Sequence, residues 1–248
     1  MRSKLDGTQH GATFGATCTA FGAEHLRSLS ASTPVDLVYH GLDLTRFPAP
    51  PKRAIRATKA PLNLMSVGRL VEKKGFDNLI AALALLPSGI AWHWTHIGGG
   101  ALDDQMRKLA SDHGVEDRIT WRGACDQPEV IEAMRAADIF VLPSRVAEDG
   151  DRDGLPNVLM EAASQKLPIL STPVSAIPEF INTEVHGILS DDSPAALAAE
   201  IARFAGDPTL GPRLADAAYE RLTHDFLMAP SIAHLALRLR LMLSGKLV

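Results

Sequence analysis

The sequence predicts an α/β protein built on a doubly wound parallel sheet. Three observations carry that expectation. From residue 61 onward, apolar strand candidates alternate with helix candidates, the order an open parallel sheet requires. The run Ile139-Phe-Val-Leu142 is continuously apolar, as expected of a strand covered on both faces. Three strand candidates end in glycine-bearing loops, at Gly68, at Gly98-Gly99-Gly100 and at Gly123. Such loops are either tight β-to-α turns or places where backbone approaches a ligand.

Taken in order, the first elements are sparse. Residues 13–18 predict a short strand, 23–29 a short helix and 35–39 a second strand that ends at His40-Gly41. This is too little for a core of its own and reads as the tail of something larger. Pro48, Pro50 and Pro51, followed by Lys52, Arg53 and Arg56, read as a linker. Regular alternation then predicts strands over 62–67, 90–97, 118–121, 139–142, 168–171 and 187–189. Helices are predicted over 76–86, 102–113, 128–137, 156–165 and 194–204. Pro156 suits the first turn of its helix, with Val158, Leu159 and Ala162 opening the apolar face. Helices over 208–222 and 232–243 close the chain. The expected division is 1–50, 51–225 and 226–248.

Composition narrows the class. With 46% hydrophobic and 22% charged residues, the chain has the makings of an ordinary globular core. A net charge of −4 argues against a nucleic-acid partner, which calls for a basic face. Cys18 and Cys125 lack CxxC spacing and read as free thiols in a reducing, cytoplasmic setting. No basic, then apolar, opening suggests a secretory signal. The most apolar stretch, 226–243, is interrupted by His234, Arg238 and Arg240, so it does not read as a membrane span.

Several sharper motifs fail on inspection. Asp103 stands where the third glycine of a dinucleotide fingerprint belongs, and Lys73 where a phosphate loop needs its second glycine. Asp149-Gly-Asp-Arg-Asp-Gly154 opens like a calcium loop, but Met160 occupies the position of the bidentate glutamate and Pro156 interrupts it. His93 and His96 are three apart, which on a strand puts them on opposite faces. No metal site is expected.

What remains is an ordered set. Val67-Gly68-Arg69 leads to Lys74-Gly75, and Ile97-Gly98-Gly99-Gly100 and Trp121-Arg-Gly123 follow. Then come Asp138-Ile-Phe-Val-Leu-Pro-Ser144, Asp153-Gly-Leu-Pro-Asn-Val-Leu-Met-Glu161 and Ser171-Thr-Pro-Val-Ser-Ala-Ile-Pro-Glu179. Singly, Arg69 or Lys74 is an ordinary surface charge. Glu161 by itself is an ordinary partner of a helix dipole. Together, over about residues 35–226, they resemble the group 1 (family 4) retaining glycosyltransferases. The likeness is to the C-terminal, Rossmann-like, nucleotide-sugar-binding half of their GT-B fold. The Asp-Gly-Asp-Arg-Asp-Gly-Leu-Pro-Asn stretch is similar to that of members that build exopolysaccharide or other surface glycans.

The resemblance implies roles by position. Arg69 and Lys74 would hold the donor diphosphate, and Glu161 the ribose hydroxyls. Asp153 stands where the family usually has its first Glu, near the donor sugar. The amides of Gly154 and Leu155 would face sugar or phosphate, and Gly123, Ala124 and Cys125 would read the base. Gly68, Gly98, Ser144 and Asn157 would complete the binding loops. The chemistry is sound: cleaving a sugar–diphosphate bond leaves negative charge, and cations with a helix N-terminus stabilise it. No cofactor or metal is implied beyond the donor itself. Partners would be a nucleotide sugar and a glycan or lipid-linked acceptor, with a separate acceptor-binding domain or chain, and peripheral contact with the inner membrane face.

Three departures qualify the likeness. Asp153 is one methylene shorter than Glu. Gly99 stands where the family often has an acidic residue. Residues 13–47, with Tyr39-His-Gly-Leu-Asp43 and Phe47, resemble only the truncated tail of the acceptor-binding N-terminal domain. The last helix, which normally crosses back onto that domain, is then expected to leave its leucines partly exposed. A non-catalytic nucleotide-sugar module is the alternative. An NAD-dependent oxidoreductase is disfavoured by the failed glycine fingerprint.

Overall fold

In the computed structural model of the protein, residues 14–29, 32–57 and 59–244 are described; Thr13 of the first expected strand lies outside them. A small βαβ unit comes first: β1 (Gly15–Thr17), α1 (Ala20–Leu29) and β2 (Val35–Leu37), the two strands pairing in parallel. The main sheet follows, with β3 (Leu62–Val67), α2 (Phe76–Ala84), β4 (Trp92–Ile97), α3 (Asp103–Asp112), β5 (Ile119–Trp121) and α4 (Gln127–Ala136). Next come β6 (Ile139–Leu142), α5 (Asn157–Ser164), β7 (Ile169–Ser171), α6 (Ile177–Phe180) and β8 (Ile188–Leu189). Helices α7 (Pro194–Gly206), α8 (Leu210–Asp225) and α9 (Met228–Leu243) end the chain.

The six main strands are all parallel, in the order β5-β4-β3-β6-β7-β8. Counted within this sheet, that is third, second, first, fourth, fifth, sixth, the doubly wound order. The chain therefore reverses direction between β3 and β6, which pair at Leu64–Ile139 and Met65–Phe140. Connections leave these neighbours in opposite directions, so a crevice opens at their carboxyl ends. Every residue of β6 is buried, as its continuous apolar run requires. Among the described residues, Trp94, Phe76, Phe140, Phe180 and Phe226 are the largest side chains sealed in the core. Helix α2 packs beside α3 and α7, and α5 beside α8.

Boundaries shift for local reasons. Arg118 closes a 3₁₀ turn over Glu116–Arg118, so β5 starts one residue later than expected. Pro156 is the N-cap of α5, with φ −67° and ψ 121°, and not part of its first turn. Helix α9 begins at Met228 because Leu42 pins the chain there: its N–H donates to the Phe226 carbonyl at 2.8 Å and its carbonyl accepts from Met228 at 3.1 Å. Helix α6 has no counterpart in the sequence reading.

The linker is fastened at the amino ends of the strands. Arg53 donates to the carbonyls of Met134, Ala137 and Gln165 at 2.6–3.1 Å, closing the C-termini of α4 and α5. Arg56 donates to Ala60 and to Ala205 near the end of α7. The shallow concavity beside them, about 60 Å³, thus sits over guanidiniums already used by helix ends.

Several contacts join the βαβ unit to the rest. The Glu179 carboxylate accepts from the Ala20 N–H at 2.8 and 3.0 Å, capping α1 from across the chain. Burial, and then the Glu179 carboxylate, push the Tyr39 phenol up to about 12. Asp36 pairs with Arg238 and His234 of α9. On α9, Leu237, Leu239 and Leu243 are exposed, whereas Leu235 and Leu241 are half-buried.

Candidate active site

Backbone packing at the carboxyl edge of the sheet brings three glycine loops together. The Gly68 N–H donates to Ile97 at 3.0 Å, the Gly98 N–H to Gly123 at 2.7 Å and the Leu70 N–H to Gly99 at 2.9 Å. Gly98 has φ +130°, and a Cβ there would lie 2.0 Å from the Gly68 carbonyl oxygen. Only glycine permits that approach. Gly75 is the counterpart across the crevice: φ is +65°, and a Cβ would meet the Pro143 carbonyl oxygen at 2.0 Å. The turn Glu72–Lys74 is thereby pressed onto the end of β6.

That turn places two lysines on one carboxylate. Lys74 Nζ lies 2.6 Å from Oδ2 of Asp153, and Lys73 Nζ 3.6 Å from its Oδ1. Ser144 Oγ is 3.4 Å from the same Oδ2. All three charged side chains are largely sheltered, with 12–14% exposure. Lys73 also pairs with Asp151 at 3.0 Å. This hydrogen bond, with smaller help from the Lys73 and Arg69 charges, holds the Asp151 carboxyl below its ordinary range. Arg69 is exposed, and its side chain makes no hydrogen bond or ion pair with a described residue. Its charge reaches Asp151, so Arg69, Lys73 and Lys74 share one neighbourhood.

Glu161 stands apart from that cluster. It lies in α5, its carboxylate has no hydrogen-bond partner among the described residues, and burial raises its pKa against an opposing pull from Arg46. Arg46 belongs to the capped turn Leu44–Arg46 and donates to Gln127 Oε1 at 3.0 Å. Gln127 opens α4 one residue beyond the Gly123–Cys125 segment, after the N-cap Asp126; in that segment Ala124 is exposed and Cys125 half-buried. Glu161, Arg46 and Gln127 therefore form a second polar group, and Arg69 and the lysines a first one.

A third feature adjoins both. Gly154, Leu155, Asn157 and Met160, around the start of α5, line a cleft of about 290 Å³ whose opposite wall is Cys18, Thr19 and His40. The βαβ unit thus contributes to the same edge of the sheet. A cationic cluster, a buried carboxylate and a cleft follow one another there.

Lys73 and Arg46 escape the sequence reading. Lys73 is hidden by its neighbour, since only one lysine of the pair fits a family position. Arg46 carries a weak signal: Asp43 caps its turn by accepting from the Thr45 N–H at 3.1 Å, which marks the junction as ordered. His96 has a different standing. It is sealed between Phe76, Trp94 and Trp121, and neither ring nitrogen finds a hydrogen-bond partner. Burial lowers its pKa to about 4 despite the Gly68 carbonyl beside it. His93, on the opposite face of β4, pairs with Thr120 Oγ1 at 2.8 Å. Among the described residues no group of His, Cys, Asp and Glu has the arrangement of a metal site.

Comparison with known proteins places this architecture. The family described as glycosyl transferases group 1 matches residues 52–221. The putative colanic acid biosynthesis glycosyltransferase WcaL of Escherichia coli K12 is 36% identical over 190 residues, 75% of this chain and 46% of that protein. The chain thus spans less than half of that relative's length. Among solved structures, sucrose-phosphate synthase from Thermosynechococcus elongatus superposes with a TM-score of 0.79 at 23% identity, over 93% of this chain and 58% of that one. Anabaena HepE in complex with UDP-glucose gives 0.75 at 19% identity, over 92% and 64%. These structures share the GT-B glycosyltransferase architecture, and the family match covers most of the sequence. The chain belongs to the group 1 glycosyl transferases.

Proposed function

We propose that this chain is the donor-binding half of a retaining hexosyltransferase. It would move a sugar from a nucleoside-diphosphate donor to a glycan or lipid-linked acceptor. One observation carries the reading: Arg69, Lys73 and Lys74 gather at the crevice between β3 and β6, where doubly wound sheets bind phosphorylated ligands. Cations so placed would stabilise a leaving diphosphate as it gains charge, more in the transition state than in the ground state. Glu161 would accept from ribose hydroxyls, and Gly123 to Cys125 would border the base. Front-face attack on the side of the departing phosphate would preserve the anomeric configuration. The three cations supply the positive potential, so no resident metal is part of the proposal.

The similarity to WcaL, whose name assigns it to colanic acid biosynthesis, supports a surface polysaccharide as the product class. HepE, solved with UDP-glucose, supports a nucleotide hexose as donor. The acceptor half would come from a longer chain or a separate one, covering the exposed leucines of α9. Work at the inner membrane face, against a lipid-linked acceptor, fits a chain in which no described helix is long and apolar enough to cross a membrane.

A non-catalytic nucleotide-sugar module is the second reading. A transfer assay separates the two. Radiolabelled nucleotide hexoses are incubated with the chain, alone and with an acceptor domain of a family member. Label transferred to glycan or lipid supports the enzyme; binding without turnover in both arms supports the module.

A further inference from the structure

Besides the lysine–carboxylate pairs, backbone donors tie the loop between β6 and α5 to the lysine turn. The Arg145 N–H donates to the Lys73 carbonyl at 2.9 Å, and the Glu148 N–H to Glu72 Oε1 at 2.9 Å. Within the loop the Ala147 N–H donates to the Asp151 carbonyl and the Gly150 N–H to that of Ala147, both at 2.8 Å. These bonds fix the path of the loop without using the Asp151 carboxylate. That carboxylate is 57% exposed, while the Lys73 side chain it holds is only 14% exposed. Asp151 can therefore let go by rotating its side chain into water while the loop stays in place.

Charge completes the argument. Three cations, Arg69, Lys73 and Lys74, face two carboxylates, Asp151 and Asp153. Lys74 and Ser144 both approach Asp153 Oδ2, so Asp153 is the fixed member. Among the described residues the Asp151 side chain is held in an ion pair by Lys73 alone.

We propose that Asp151 is an internal counter-ion that occupies Lys73 until a terminal phosphate displaces it, making Lys73 a residue that selects for the charge of a diphosphate. This rests on the donor-site reading above. A nucleotide sugar brings one negative charge per phosphate. The departing nucleoside diphosphate, with a free terminal phosphate, carries more. Lys73 then leaves Asp151 most completely for the leaving group, which is differential binding in favour of bond cleavage. A nucleoside monophosphate, lacking the second phosphate, leaves the Lys73–Asp151 pair closed.

The test is calorimetric binding of UDP, GDP and ADP, each beside its monophosphate, to the full chain and its variants. Asp151→Asn is expected to tighten the preferred diphosphate about three- to fivefold and to move the monophosphate by less than about twofold. Lys73→Met is expected to weaken the diphosphate by about tenfold or more. The double variant should match Lys73→Met alone, since removing Asp151 gains nothing once its lysine is gone. Should Lys73→Met fold poorly, Lys73→Arg with and without Asp151→Asn takes its place and should show the same tightening. Unchanged or weaker diphosphate binding by Asp151→Asn, or equal gains with and without a cation at 73, overturns the counter-ion while leaving the donor site standing. Wild-type chain that binds none of the three diphosphates overturns both.

Discussion

Lys74 Nζ sits 2.6 Å from Oδ2 of Asp153, and both side chains are about seven-eighths sheltered from water, at 12% and 14% exposure. The pair fixes where the second lysine of the turn can point. It also links the loop between β6 and α5 to the turn after β3, the two sides of the crevice.

Replacing Lys74 by Ala leaves Asp153 with Lys73 at 3.6 Å as its only cationic partner among the described residues. The expected cost is about 1.5–3 kcal/mol of folding stability, the range for hydrogen bonds to charged groups. Asp153→Asn should cost less, because an amide still accepts from Lys74. Urea unfolding of the two single variants and the double measures the coupling directly; additive losses would show that the pair does not act as one.

Glu161 is held at a stability cost. Burial raises its pKa, so the folded chain binds that proton more readily than the unfolded chain does. The sign follows: the penalty is absent at low pH and grows as pH rises above the unfolded carboxyl value. Glu161→Gln should therefore raise the melting temperature at pH 7. The same change should weaken nucleoside-diphosphate binding by about 1.5–3 kcal/mol, by removing a charged acceptor for ribose hydroxyls. Melting curves and titrations on one sample check both; a variant that loses stability and keeps its ligand would contradict the assignment.

Gly75 and Gly114 make a matched comparison. Both have φ +65°, but a Cβ at Gly75 meets the Pro143 carbonyl oxygen at 2.0 Å, whereas nothing lies within 4 Å of one at Gly114. Gly114→Ala should cost only the left-handed backbone term, about 1–2 kcal/mol. Gly75→Ala should cost more than about 3 kcal/mol, because β6 and the lysine turn must separate as well. Denaturant midpoints rank the two.

His96 predicts the acid limit of the fold. Its pKa falls from 6.5 to about 4 through burial, so between those values the unfolded chain binds the extra proton. Stability from this group is complete above pH 6.5 and declines as pH drops toward 4, by at most about 1.4 kcal/mol per unit. His96→Leu should flatten that slope between pH 6.5 and 4.5, as read by urea unfolding across the range.

How much of this is legible in the sequence depends on how local the cause is. The bounds of β3 and β6 can be read because apolar runs stop at Gly68 and Pro143. The glycine loops are legible as loops, yet the Gly98 approach to the Gly68 carbonyl depends on two strands meeting side by side. Lys74 is legible by family position. Lys73 is not, because its importance comes from Asp151, 78 residues away. Arg46 escapes for the same reason, its relation to Glu161 being made across the fold. Helix α9 begins four residues early because Leu42 holds it, a contact no local pattern records.

Calorimetric titration of the chain with UDP, GDP and ADP tests the donor-site account most directly. Saturable, one-site binding of at least one of them, with a dissociation constant below about 1 mM and loss on Arg69→Ala, is the predicted result. No binding of any of the three at millimolar concentration would contradict it.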